Sequence, residues 1–133
     1  MGQTVFSQLA EIAEQTARRS PTHYSLPAHT LKAIEQHGVG GDLIERMFGP
    51  RNKITKLTNR NEPLSEDQTD KAIRLLRIIS LAEKVFRNPS KAMMWLNHEH
   101  RQFKAKPMDL LVRENGANLV EEMLLRIEYG VYA

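Results

Sequence analysis

A serine and a glutamine three residues apart open the stretch that most limits what this chain can fold into. Ser65 and Gln68 have capping-box spacing and follow Pro63, which marks the start of a helix. Beyond it, Ala72, Leu75, Ile79, Ala82 and Phe86 recur at helical steps, and Ile78, Leu81 and Val85 widen the stripe. The spacing predicts one long helix over Glu66–Phe86 that packs on two sides and joins two halves of the molecule. Strand-like alternation is absent elsewhere, so the fold class expected is all-α.

The other segments supply shorter helices. Val5, Phe6, Leu9, Ile12, Ala13 and Thr16 form a face over Thr4–Arg18, and the two prolines of Ser20–Pro27 mark a linker. Leu31 and Ile34 predict a short helix closed by Gly38. After a Gly-Val-Gly-Gly turn, Asp42 is the expected cap of a two-turn helix, with Glu45 three residues on. Gly49-Pro50 breaks that helix before a third one carrying Ile54 and Leu57. Asn88-Pro89-Ser90 opens a helix with Met93, Met94, Trp95 and Leu96, Pro107 opens another, and Asn115-Gly116 turns into the last. Trp95 is read as a core aromatic between Met94 and the last helix, and both methionines as core filler.

Bulk properties narrow the function classes. At 133 residues the chain holds one domain or two very small ones, with enough surface to bury for a core. A net charge of +3 neither requires nor excludes nucleic acid, so the placement of basic residues decides. Zero cysteines exclude a disulfide framework, a thiolate zinc site and a cysteine nucleophile, and fit a reducing cytoplasm. The N-terminus lacks a basic start followed by an apolar run, and no apolar stretch is long enough to span a bilayer, so a cytoplasmic protein without a membrane role is expected.

The third short helix carries a candidate binding face. Helix, tight turn, helix is the geometry that places a second helix in the DNA major groove. With Ile54 and Leu57 turned inward, Asn52, Lys56 and Asn59 turn outward, flanked by Lys53, Thr55 and Arg60. Lys and Arg neutralise phosphates and Asn pairs with adenine edges; Arg51–Arg60 holds four basic residues and no acid. The plain alternative is a solvated charged face. Two positions depart from the usual pattern, with Ile44 where a small crossing residue is common and Phe48 where a turn glycine is common.

Catalytic and metal chemistry find no support. His98-Glu99-His100 lacks the spacing that puts two histidines on one helix face, and His23, His29 and His37 fall in or near loops. No phosphate loop, nucleophile elbow or dinucleotide fingerprint occurs, and the Gly-Val-Gly-Gly turn follows a helix rather than a strand. No enzyme activity, cofactor or metal is expected.

The C-terminal segment expects a partner. Ala117, Val120, Met123, Leu124 and Ile127 form an apolar stripe that Gly130 terminates, leaving an ending built of Tyr129, Val131 and Tyr132. Aromatic residues of this kind fill pockets at interfaces.

The residues from Pro63 onward, PLSEDQTDKAIRLLRIISLAEKVF, then MMWL, PMDLL and GANLVEEMLLRIEYGVYA, resemble over about Leu64–Ala133 the toxin-binding domain of the MbcA/ParS/Xre antitoxins. Leu26–Arg60 resembles the Xre-type helix-turn-helix that precedes that domain. Lys104, Ala105 and Lys106 depart from the glycine pair that family members usually carry before the proline. The resemblance implies three parts: an N-terminal helix and linker over 1–25, a DNA-binding unit over 26–64 and a toxin-binding domain over 65–133. It also implies an antitoxin that binds a RES-type toxin, an NAD-consuming protein of ADP-ribosyltransferase-like fold, and represses their shared operon. Because operator readers commonly pair two recognition helices on half-sites about one DNA turn apart, a homodimer is expected, joined through the Val5–Thr16 helix or the C-terminal core. In such antitoxins the C-terminal end enters the toxin's active-site cleft. Carried onto this sequence, those residues are Arg126, Glu128, Tyr129, Gly130, Val131, Tyr132 and Ala133. Two other readings stay open: a stand-alone transcriptional regulator, and a protein inhibitor whose basic helix no longer reads DNA.

Overall fold

The structure, a computed structural model, describes residues 25–130. The expected helix over Thr4–Arg18, most of the Ser20–Pro27 linker and the three C-terminal residues lie outside them. Among the described residues the secondary structure is helical: α1 His29–Gln36, α2 Gly41–Phe48, α3 Arg51–Arg60, α4 Glu66–Phe86, α5 Pro89–Leu96, α6 Pro107–Leu110 and α7 Glu114–Glu128. Strand geometry is limited there to two isolated bridges, Pro27 with Pro63 and His100 with Ala105. The all-α expectation holds. No described helix is long and apolar enough to cross a membrane.

The chain divides into two compact units, Met1–Leu76 and Arg77–Ala133, and the division falls within α4. In the first unit α1, α2 and α3 each pack on the other two. Leu31 and Ile34 of α1, Leu43, Ile44, Met47 and Phe48 of α2 and Ile54 of α3 are buried together with Leu75 and Leu76 of α4. Leu57, expected inward with Ile54, is only half-buried. The first described residues belong to this packing: Leu26 is buried and its carbonyl accepts the Leu64 N–H at 2.8 Å. The Leu26 N–H in turn donates to Thr69 Oγ1 at 3.2 Å, a long-range bond that satisfies a buried threonine.

The turn between α2 and α3 explains why Phe48 departs from the usual pattern. The positive-φ residue is Gly49, at φ 116°, a conformation that a side chain disfavours. Phe48, one residue earlier, is still helical and buried. The Asp42 expectation is corrected. The N-cap of α2 is Gly40, with no side-chain cap bond, and Asp42 lies inside the first turn, where its charge favours the helix dipole. At α4 the capping box forms as predicted, with Ser65 N–H donating to Gln68 Oε1 at 3.0 Å and Gln68 N–H to Ser65 Oγ at 3.1 Å.

In the second unit Ile78, Ile79 and Ala82 of α4 are buried with Ala92 and Leu96 of α5, Met108 of α6, Leu111, and Ala117, Val120 and Leu124 of α7. Asn88 caps α5 through the Lys91 N–H at 3.0 Å, and proline opens both α5 and α6. α7 begins at Glu114, so Gly116 lies inside the helix rather than in a turn before it. Its role is close approach: a Cβ there would run into the Leu110 carbonyl. Arg77 ties α4 to α7 within this unit, reaching Glu114 at 3.1 Å and Glu121 at 3.8 Å.

Candidate functional site

Two surfaces carry the residues that the sequence singles out, one in each unit. On α3, Asn52, Lys53, Thr55, Lys56, Asn59 and Arg60 are all exposed. A 3.6-residue wheel anchored by buried Ile54 puts Lys56 at the centre of the outward face, with Asn52 and Arg60 beside it. Asn59 and Lys53 flank them, and Thr55 sits at the edge. Thr55 and Asn59 also line a groove of about 360 Å³ shared with His29, Lys32 and Glu35 of α1. Arg60 reaches the Glu62 carboxylate at 3.5 Å. Lys53 and Lys56 have no ion pair among the described residues.

The fourth basic residue of α3 points elsewhere. Arg51 Nη1 and Nη2 donate to the two carboxylate oxygens of Glu35 at 3.1 and 2.7 Å, and its Nε lies 3.8 Å from Glu45. The hydrogen bond to Glu35 holds the Arg51 guanidinium above its ordinary pKa. Sequence reading does not find this cluster, because its members lie on three helices and show no common period.

At the other surface, α7 has two apolar sides. Ala117, Val120 and Leu124 are buried and Met123 and Ile127 half-buried, as the predicted stripe requires. Leu119, Leu125 and Tyr129 face away from that core, at 51%, 36% and 76% exposure. Leu119 and Met123 join Phe103, Leu110, Gln102, Glu122 and Arg126 around a groove of about 330 Å³. Arg126 and Glu128 are exposed. The helix ends as predicted: Tyr129 is its C-cap, and Gly130 follows at φ 69°. Val131, Tyr132 and Ala133 lie outside the described residues. Leu119 and Leu125 are legible from the same wheel that gives the buried stripe, since neither falls within it: Leu119 flanks the stripe beside Met123 and Leu125 lies on the far side.

Trp95 and its neighbours differ from the expectation. Trp95 is half-buried rather than fully in the core, and its ring lies tilted against Phe86 at 5.7 Å and His100 at 5.0 Å. Met94 is 72% exposed and fills no core; Met93 is half-buried. His100 is built into this aromatic group, 6.4 Å from the Phe103 ring, with Nε2 2.9 Å from the Trp95 carbonyl. Among the described residues no three potential metal ligands gather.

Comparison with known proteins bears on both surfaces. Residues 81–130 match the family model of the antitoxin Xre/MbcA/ParS C-terminal toxin-binding domain, which takes in the end of α4 and all of α5, α6 and α7. The chain is also 35% identical over 101 residues to the protein named Antitoxin Xre of Pseudomonas putida. That match covers 75% of this chain and 64% of the relative, so the chain spans just under two thirds of the relative's length. The second unit therefore carries the antitoxin Xre/MbcA/ParS C-terminal toxin-binding domain, and three quarters of the chain is similar to an Xre antitoxin.

Proposed function

We propose that the protein neutralises a co-encoded RES-type, NAD-consuming toxin by seating its C-terminal end in the toxin's active site. It works in the cytoplasm as a homodimer and represses its own operon through α3. The observation that carries the toxin reading is the outward side of α7, where Tyr129, Leu119 and Leu125 remain unburied beside Arg126 and Glu128. Apolar and aromatic groups left exposed along one side of a helix mark a partner surface. Blocking needs no chemistry from the antitoxin, and the match of the second unit to an antitoxin domain supports a regulatory rather than an enzymatic role. Arg126, Glu128, Tyr129, Gly130, Val131, Tyr132 and Ala133 are the contact set. Loss of a buried aromatic anchor costs about 2 kcal/mol or more, roughly thirtyfold in affinity.

The operator reading rests on the exposed Asn52, Lys53, Thr55, Lys56, Asn59 and Arg60. Two copies pair so that their α3 helices address half-sites about one DNA turn apart. Growth rescue tests the main reading. The neighbouring toxin gene is expressed with the full chain and with a chain ending after Glu128, at matched antitoxin levels. Rescue by the full chain alone supports blocking by Tyr129–Ala133. Equal rescue moves blocking to the helical surface, and failure of both against a demonstrably toxic neighbour leaves a stand-alone regulator.

A further inference from the structure

Charge alone makes Arg51 a fourth phosphate contact on α3, but its surroundings give it another task. Its guanidinium is turned toward α1 and α2 and grips both oxygens of Glu35, with Glu45 on its third side. The three residues come from the last turn of α1, the middle of α2 and the first position of α3, so one planar fork spans all three helices. The first residue of α2 is glycine where this pair lies: a Cβ at Gly41 would sit 3.0 Å from Arg51 Nη2 and 3.4 Å from Glu35 Oε2.

The electrostatics agree with an anchoring role. α3 has no acid in its first turn, and an arginine there opposes the helix dipole. Glu35 and Glu45 supply from neighbouring helices the negative charge that this end lacks. All three side chains are roughly two-fifths exposed, at 40%, 36% and 42%, a setting in which an ion pair adds little to overall stability. What a bidentate pair does supply is direction, because the fork is satisfied in one orientation only.

We infer that Arg51 is a positioning residue which sets the angle of α3 through Glu35, so that an acid, Glu35, supports DNA reading without touching DNA. The inference rests on the operator reading above. It has an unusual consequence: neutralising an acid next to the DNA-facing helix weakens binding, where simple charge repulsion requires the opposite.

The test uses the full chain and the DNA upstream of its own gene, with Glu35→Gln, Arg51→Lys, the double variant, and Lys56→Ala for comparison. Circular dichroism first establishes that each variant is folded. Glu35→Gln and Arg51→Lys are each expected to weaken binding between about twofold and tenfold, with the double variant no worse than the weaker single. Their salt slopes stay at the wild-type value, while Lys56→Ala flattens the slope by about one unit. Tighter binding by Glu35→Gln, or unchanged binding by Arg51→Lys, overturns the proposal. If the unaltered chain binds no upstream DNA at any salt, the operator reading fails by itself, and amide exchange along α3 decides the anchoring. Faster exchange by the same factor in both single variants sustains it; unchanged exchange overturns it.

Discussion

Gly116 is a position in the second unit where the backbone leaves no room for a side chain. It lies in the first turn of α7, against the carbonyl of Leu110 at the end of α6, and any side chain there meets backbone rather than a flexible neighbour. Gly116→Ala is expected to lower stability by about 1–3 kcal/mol in urea unfolding, the range of an overpacked core site. Lys104 is the reverse case. It holds φ 52°, a left-handed conformation that costs a side-chain-bearing residue about 1–2 kcal/mol. Glycine adopts it freely but gains entropy when unfolded, so Lys104→Gly should raise stability by up to about 1 kcal/mol in the same assay. Asn115-Gly116 has the signature of a turn, and only the packing shows that the glycine answers a contact with another helix.

At the scale of elements, local signals were legible and distant ones were not. Ser65 and Gln68 exchange both bonds of the predicted capping box because each partner lies within one turn of the other. Ser65→Ala should therefore cost about 1 kcal/mol in chemical unfolding. Asp42, read by the same rule, makes no cap bond to α2, and Asp42→Ala should change stability by no more than about 0.5 kcal/mol. The rule misled at Asp42 because Gly40 precedes it and starts the helix earlier. In α5, eight residues with apolar side chains at Met93, Met94, Trp95 and Leu96 give a wheel too full to choose an inner face. The sequence accordingly places Met94 inward, and the structure turns it outward. The Arg51–Glu35 pair was illegible for another reason: its partners are 16 residues apart, on helices whose crossing no single-helix pattern encodes.

At the scale of the molecule, the two candidate surfaces belong to different compact units, and their proposed functions should separate on mutation. Replacing Lys53, Lys56 and Arg60 with Ala is expected to leave growth rescue intact while flattening the salt dependence of operator binding by about one unit per lost phosphate contact. A chain ending after Glu128 should show the opposite pattern, with operator affinity and salt slope kept and rescue lost. The double apolar character of α7 also has a material consequence. Leu119, Leu125 and Tyr129 face outward on the helix whose other side holds the core, so the free chain carries a sticky surface that its modest net charge does little to keep dispersed. Yield in recombinant production should thus depend on company: the protein made alone is expected to precipitate as it is concentrated, and made together with the proposed toxin partner to remain in solution.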